Sequence, residues 1–204
     1  MAYRIVPIVE GHGEVQAVPA LLRRIIAELD LGVPIDIRRP VRQPRGSLLK
    51  AGGLEAAVRL AAGEAGPSGA ILILLDSEGS CPAELGPALL ERAFAATSGR
   101  RMSVVLAHRE FEAWFLASAS SLKNSHGLGN DVETHQVPES VPGCKEWLEA
   151  RMAVTSKYSE TTDQAAFTAI FDMHVARWNA PSFDKLWREV EAICQHALSM
   201  LNKA

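Results

Sequence analysis

Six acidic residues sit where apolar runs stop. "RIVPIV" leads to Glu10 and then Glu14, "AILILL" runs into Asp76 and Glu78, and "SVVLA" precedes Glu110 and Glu112. Each of these acids alone could be solvated charge, and Glu14 and Glu112 could serve as helix N-terminal charges, which are mildly stabilising in themselves. Gathered in one crevice they carry a cost. Two unit charges about 4 Å apart repel by roughly 1 kcal/mol in water and about 4 kcal/mol at an effective dielectric near 20. Such a crevice must raise the pKa values of its acids or take up a cation. Mg²⁺, with Mn²⁺ as the substitute, suits that need, because it is held by one or two carboxylates together with water and substrate phosphate. His12, beside Glu10, has the chemistry of an acid–base group but also sits where a loop tolerates many residues, and the same two readings apply to His108.

The surrounding pattern explains how distant acids meet. "RIVPIV" reads as a strand, and from Glu14 onward Val15, Val18, Leu21, Leu22, Ile25, Ile26 and Leu29 recur at helical spacing. Gly11 and Gly13 allow a tight turn between the two. "PIDIRRPV" is a second strand, expected near an edge because Pro40 interrupts it. The continuous apolar run "AILILL" fits a strand buried on both faces. Helices over "LEAAVRLAA" and "PAELGPALLERAFAAT" flank it, and "MSVVLA" supplies a fourth strand. Alternation of this kind predicts an α/β fold, a mostly parallel sheet of about four strands joined by right-handed crossovers. Ligands of such sheets lie beyond the carboxyl ends of the strands, where Glu10, Asp76 and Glu110 all fall.

The expected organisation is an α/β core over residues 1–117, a mobile loop over 118–142 rich in Ser, Asn, Gly, His and Pro, and a helical extension over 143–204 packed on the core. In the extension "CKEWLEARM", "DQAAFTAIFDMHVARW" and "SFDKLWREVEAICQHALSML" read as helices, the last with Ser182 as its N-cap. Of the four tryptophans, Trp147, Trp178 and Trp187 fall at apolar helical positions and are expected in the core. Trp114, beside the acids, could in addition stack on a base.

The 204 residues are 48% hydrophobic and carry a formal net charge of -3, so overall charge does not announce a nucleic-acid binder. A local basic run nevertheless exists: Arg23, Arg24, Arg38, Arg39, Arg42, Arg45 and Lys50. "RRPVRQPRGSLLK" within it could form a phosphate-backbone track or could guard an edge strand against pairing. Three widely spaced cysteines make no zinc pattern and read as reduced thiols. No apolar run approaches about 18 residues and the N-terminus reads as a strand, so a cytoplasmic protein without a membrane span is expected. A P-loop is missing, and "EGHGE" makes only a weak dinucleotide fingerprint, since Gln16 occupies its third glycine position.

"VEGHGE" followed by "LLDSEGS" resembles the TOPRIM domain, marked by a Glu after the first strand and a DxD after the third. With "HREFEAWFLA", "KYSETTDQAAF" and "APSFDKLW", nearly the whole chain resembles a family of small bacterial TOPRIM-like proteins classed as a domain of unknown function. Members of that family are often encoded beside an ATPase partner. The resemblance implies a Mg²⁺ site for phosphodiester chemistry, as in topoisomerases, primases and the overcoming-lysogenization-defect nucleases. Glu10 takes the place of the TOPRIM glutamate, and Asp76 and Glu78 that of the DxD pair, with Glu78 lengthening the second arm. Glu110 and Glu112 belong to the smaller family's own motif, which makes the implied ligand set Glu10, Asp76, Glu78, Glu110 and Glu112, with Glu14 and His12 as further candidates.

The expected catalytic residues are Glu10, Asp76 and Lys157. Glu10 would act as a general base or metal ligand, and Lys157 would stabilise charge on the phosphorane, unless it is only an exposed lysine before a helix. The leading expectation is a Mg²⁺-dependent nuclease or related phosphotransfer enzyme, with defence against foreign DNA as one setting. The alternative is a non-catalytic binding or regulatory subunit of the ATPase partner. A receiver-like phosphoacceptor at Asp76 would need two acids after the first strand, and only Glu10 is placed there.

Overall fold

The computed structural model describes residues 2–154 and 156–202. Five parallel strands form one sheet: β1 (Tyr3–Val9), β2 (Ile35–Ile37), β3 (Val41–Arg42), β4 (Ala70–Asp76) and β5 (Met102–Ala107). The helices joining them are α1 (Glu14–Leu29), α2 (Arg45–Leu49), α3 (Gly53–Ala65) and α4 (Pro82–Ala96). The order is β2-β1-β4-β5, with β3 also on β1. The α/β architecture is thus as expected, and the edge reading of "PIDIRRPV" holds, but that stretch forms two short strands rather than one.

Proline places the break. β2 pairs with Tyr3–Ile5 of β1, and β3 resumes pairing at Ile8 and Val9. Pro7 has no N–H to give and falls between the two, and Pro40 lies in the matching gap of the edge. The two-residue alternation of the strands then divides the core in two. Ile5, Val9, Leu72, Leu74 and Val105 face one side, with α1 and the C-terminal helix, whereas Val6, Ile8, Ile71, Ile73, Leu75 and Leu106 face the other, with α3 and α4. Ile71–Leu75 of β4 are buried throughout, which is why that run carries no polar residue.

Beyond β5 come a short helix α5 (Ala113–Leu116), then α6 (Cys144–Glu149), α7 (Asp163–Ile170), α8 (Met173–Asn179) and α9 (Pro181–Leu201). The segment 118–142 contains two single 3₁₀ turns and buries Leu122, Leu128 and Val132. Its backbone is pinned in part by His135 N donating to Leu116 O at 3.0 Å. "DQAAFTAIFDMHVARW" is broken at Asp172, whose carboxylate caps α8 by accepting from His174 N and Val175 N. Ser182 does not cap α9; Ala180 does, with Pro181 in the first turn. The Ser182 hydroxyl instead accepts from Trp114 Nε1 at 2.8 Å and His108 N at 3.2 Å. Trp114 is fully buried by this contact and by Phe111 and Phe183, leaving no face for a base. Trp187 is buried too, while Trp147 is half-buried under the Arg151 guanidinium. Trp178 is 89% exposed, against the core position its helical spacing suggests, because α8 is too short to bury both faces. Among the described residues no helix is long and apolar enough to cross a membrane.

Candidate functional site

The carboxyl ends of β1 and β4, neighbours in the sheet, carry Glu10 and Asp76 into contact. Glu10 Oε1 accepts from Asp76 N at 2.6 Å. Glu14, the first residue of α1, folds back so that its Oε2 accepts from both Glu10 N and Gly11 N at 2.9 Å. Asp76 Oδ1 accepts from Phe111 N at 2.8 Å, which ties β4 to the segment after β5. Ligand oxygens of Glu10, Glu14 and Asp76 all lie within 4.8 Å of one another.

Each of the three carboxylates thus spends one oxygen on backbone N–H groups. The other oxygen (Glu10 Oε2, Glu14 Oε1, Asp76 Oδ2) has no hydrogen bond among the described residues and is not among the sealed, unpartnered atoms of the interior. Carboxylate oxygens gathered in this way could hold a hard cation. The electrostatics agree. Burial raises Glu10, helped by the nearby Glu78 charge and opposed chiefly by the Asp76 N–H. Glu14 is pushed up to about 7 by burial, with Glu10 adding to the rise. Asp76 is raised well above the usual carboxylate range by burial and by Glu14, Glu112 and Glu10. Burial and mutual repulsion thus favour the protonated forms of these acids, and a bound cation would offset both.

Glu112 lies behind this cluster, fully buried. Its Oε1 accepts from Tyr158 Oη at 2.8 Å and Gln164 Nε2 at 3.2 Å, and its Oε2 has no partner among the described residues. Burial pushes it up to about 7, against the pull of Lys145. Gln164 also packs against the turn before α1: a Cβ on Gly13 would stand 2.1 Å from Glu160 O and 2.4 Å from Gln164 Oε1. Gly13 is therefore required by close approach. Its φ is -64°, so the turn itself does not need a glycine there.

The remaining acids hold back. Glu78 sits in the left-handed region at φ 49°, its side chain 64% exposed and 3.6 Å from Arg45 Nη1. Extended backbone through Ser77, the condition for Asp76 and Glu78 to share a face, does not persist, and Glu78 is outside the three-residue cluster. Arg109 is also left-handed, at φ 65°, and the two strained residues are joined by Glu78 N donating to Arg109 O at 3.0 Å. Such conformations cost about 1 kcal/mol or more each and collect at functional sites. Glu110 is half-buried, and its Oε2 accepts from Lys145 N at 3.3 Å.

The chain matches the family described as Domain of unknown function (DUF4276) over residues 9–191. It belongs to that family. Comparison with curated proteins and with solved structures found no match.

In this DUF4276 chain Lys145 and Arg45 bring positive charge to the site. Lys145 lowers the pKa values of Glu10, Asp76 and Glu112 through space, and its Nζ is 2.6 Å from Glu160. Arg45 donates to Asp76 O and Ser77 O at 3.0 Å and to Ser80 Oγ at 3.3 Å, which fixes the turn after β4. Lys157 is exposed, with no hydrogen bond or ion pair to these acids among the described residues, and His12 is exposed beside Glu10. Sequence reasoning missed Lys145, Tyr158 and Gln164. Tyr158 was within reach, since it lies in the quoted "KYSETTDQAAF" stretch; Lys145 carries no local signal.

Proposed function

We propose that this protein is a divalent-metal-dependent hydrolase or phosphotransferase acting on nucleic-acid phosphodiesters, with a TOPRIM-like site at the carboxyl edge of its sheet. The observation that carries this reading is the convergence of Glu10 and Asp76, at the ends of two adjacent parallel strands, with Glu14 of α1, so that one carboxylate oxygen of each lies within 4.8 Å of the others. Glu10, Glu14 and Asp76 would hold Mg²⁺ or Mn²⁺, with Glu78, Glu110 and Glu112 in the surrounding ring. The bound ion would neutralise phosphate charge and favour ionisation of water at neutral pH. The chain's own groups do the rest. Backbone N–H groups keep the carboxylates from rotating. Lys145 supplies a positive charge toward an anionic substrate. Glu112 titrates near neutrality and, tied to Tyr158 and Gln164, can keep or release a proton behind the site.

Hydrolysis of labelled DNA and RNA, or of bis(p-nitrophenyl) phosphate, with Mn²⁺ present tests this reading. Asp76→Asn and Glu10→Gln keep the shape of the site and should each lower turnover by about 10²-fold or more. Turnover unchanged in both would reject the site.

A second reading is a non-catalytic, TOPRIM-like regulatory subunit of an ATPase partner. Trp178 at 89% exposure, with Ile170 at 43% and Val175 at 39% nearby in sequence on α7 and α8, supports it, because exposed aromatic residues are frequent anchors of protein interfaces. Metal binding without turnover, together with ATPase co-purification lost in Trp178→Ala, would favour this second reading.

A further inference from the structure

Beside the acidic site runs an open groove of about 610 Å³ whose charge is the reverse of the site's own. Arg38, Arg39 and Arg42 line it, with His12 at the end toward Glu10 and Glu64 as its one carboxylate. Arg38 is shared between Asp36 at 3.3 Å and Glu64 at 3.5 Å, and all three side chains of that network are about half exposed. Such pairs are screened and are readily exchanged for another anion. Arg39 and Arg42 have no carboxylate partner among the described residues. Arg39 is exposed, while Arg42 Nη1 donates to the Glu10 carbonyl oxygen at 3.3 Å, so groove and site are continuous through one residue.

A guanidinium presents five donors in a plane matched to phosphate oxygens, and among the described residues Arg42 uses one of them. The arginines stand where the edge of the sheet is broken between β2 and β3. There the bare edge is too short to template another strand, which weakens the account of these charges as edge protection. We infer that this groove, through Arg39 and Arg42, is the track along which the phosphodiester backbone of the nucleic-acid substrate enters the acidic site. The inference rests on the function proposed above and adds to it the residues that hold the polymer.

Fluorescence anisotropy in EDTA tests the track without requiring turnover. The probes are labelled single-stranded DNA, duplex DNA and single-stranded RNA of roughly 20 units, titrated between about 50 and about 200 mM salt. The wild-type chain should bind at least one of these polymers, and the tightest names the source of the backbone. Arg39→Glu should lower the log–log salt slope by about one, making the loss of affinity across that range roughly fourfold shallower. Arg188→Glu, an exposed charge reversal on α9, should behave as wild type. Mn²⁺ affinity of Arg39→Glu should be unchanged. No binding by the wild type, equal slopes for Arg39→Glu and Arg188→Glu, or displacement of the polymer by an equal phosphate concentration of mononucleotide would each overturn the track. Arg39-dependent binding without hydrolysis would keep the track and remove the catalytic reading.

Discussion

Glu14→Gln is expected to stabilise the metal-free protein at alkaline pH while abolishing its response to metal. In the fold Glu14 keeps its proton to about pH 7, because burial penalises the charge and Glu10 adds repulsion; its ordinary value is 4.5. Between those two values the folded chain binds more protons than the unfolded one, so the unfolding free energy falls as pH rises. The contribution of Glu14 is complete below about pH 4.5 and used up above about pH 7. At 1.36 kcal/mol per pKa unit, the loss is about 3 kcal/mol. A glutamine does not ionise, and its amide oxygen can still accept from Glu10 N and Gly11 N. The stability of Glu14→Gln relative to wild type should therefore rise by about 2.5 kcal/mol between pH 5 and pH 8 in EDTA, or roughly 5–10 °C in Tm for a chain of this size. Urea and thermal unfolding at pH 5, 6, 7 and 8 measure the difference. Added Mg²⁺ should raise the Tm of the wild type and leave Glu14→Gln unmoved. A stability difference independent of pH, or a variant less stable than wild type at pH 8, would refute the reasoning.

Two further outcomes follow from the contacts around the site. Gly13→Ala places a methyl group against the backbone oxygen of Glu160 and the Oε1 of buried Gln164; denaturant unfolding should show a loss of about 1–3 kcal/mol, and a stability equal to wild type would remove the close approach as the reason for glycine there. Lys145→Met should lower phosphodiester hydrolysis by about 10²-fold, whereas Lys157→Met should stay within roughly threefold of wild type, as steady-state kinetics on the same substrate will show. The reverse order would return the cationic role to Lys157.

The strands were legible because their apolar runs are dictated by burial on two faces, and Glu10 and Asp76 were legible because parallel strands end on a common edge. Other features depend on contacts between residues far apart in sequence, which no local pattern encodes. Glu14 looks like a helix N-terminal acid, yet its carboxylate turns back onto the loop and joins Asp76. Glu78 has the right spacing from Asp76, but the left-handed turn at its own position and Arg45 draw it aside. Ser182 has the identity of a cap and is consumed by Trp114, 68 residues away. Tyr158 reaches Glu112 across 46 residues, and only the folded chain shows that pairing. Trp178 follows the helical pattern of a core residue but stays in solvent, because Asp172 divides the stretch into two short helices.

The most direct measurement is an anomalous difference map from crystals soaked in Mn²⁺. The account expects a peak bounded by the carboxylates of Glu10, Glu14 and Asp76, absent from Asp76→Asn crystals treated in the same way. A map with no peak there at millimolar Mn²⁺, or with an ion held by Glu78 and Glu110 away from those three side chains, would contradict it.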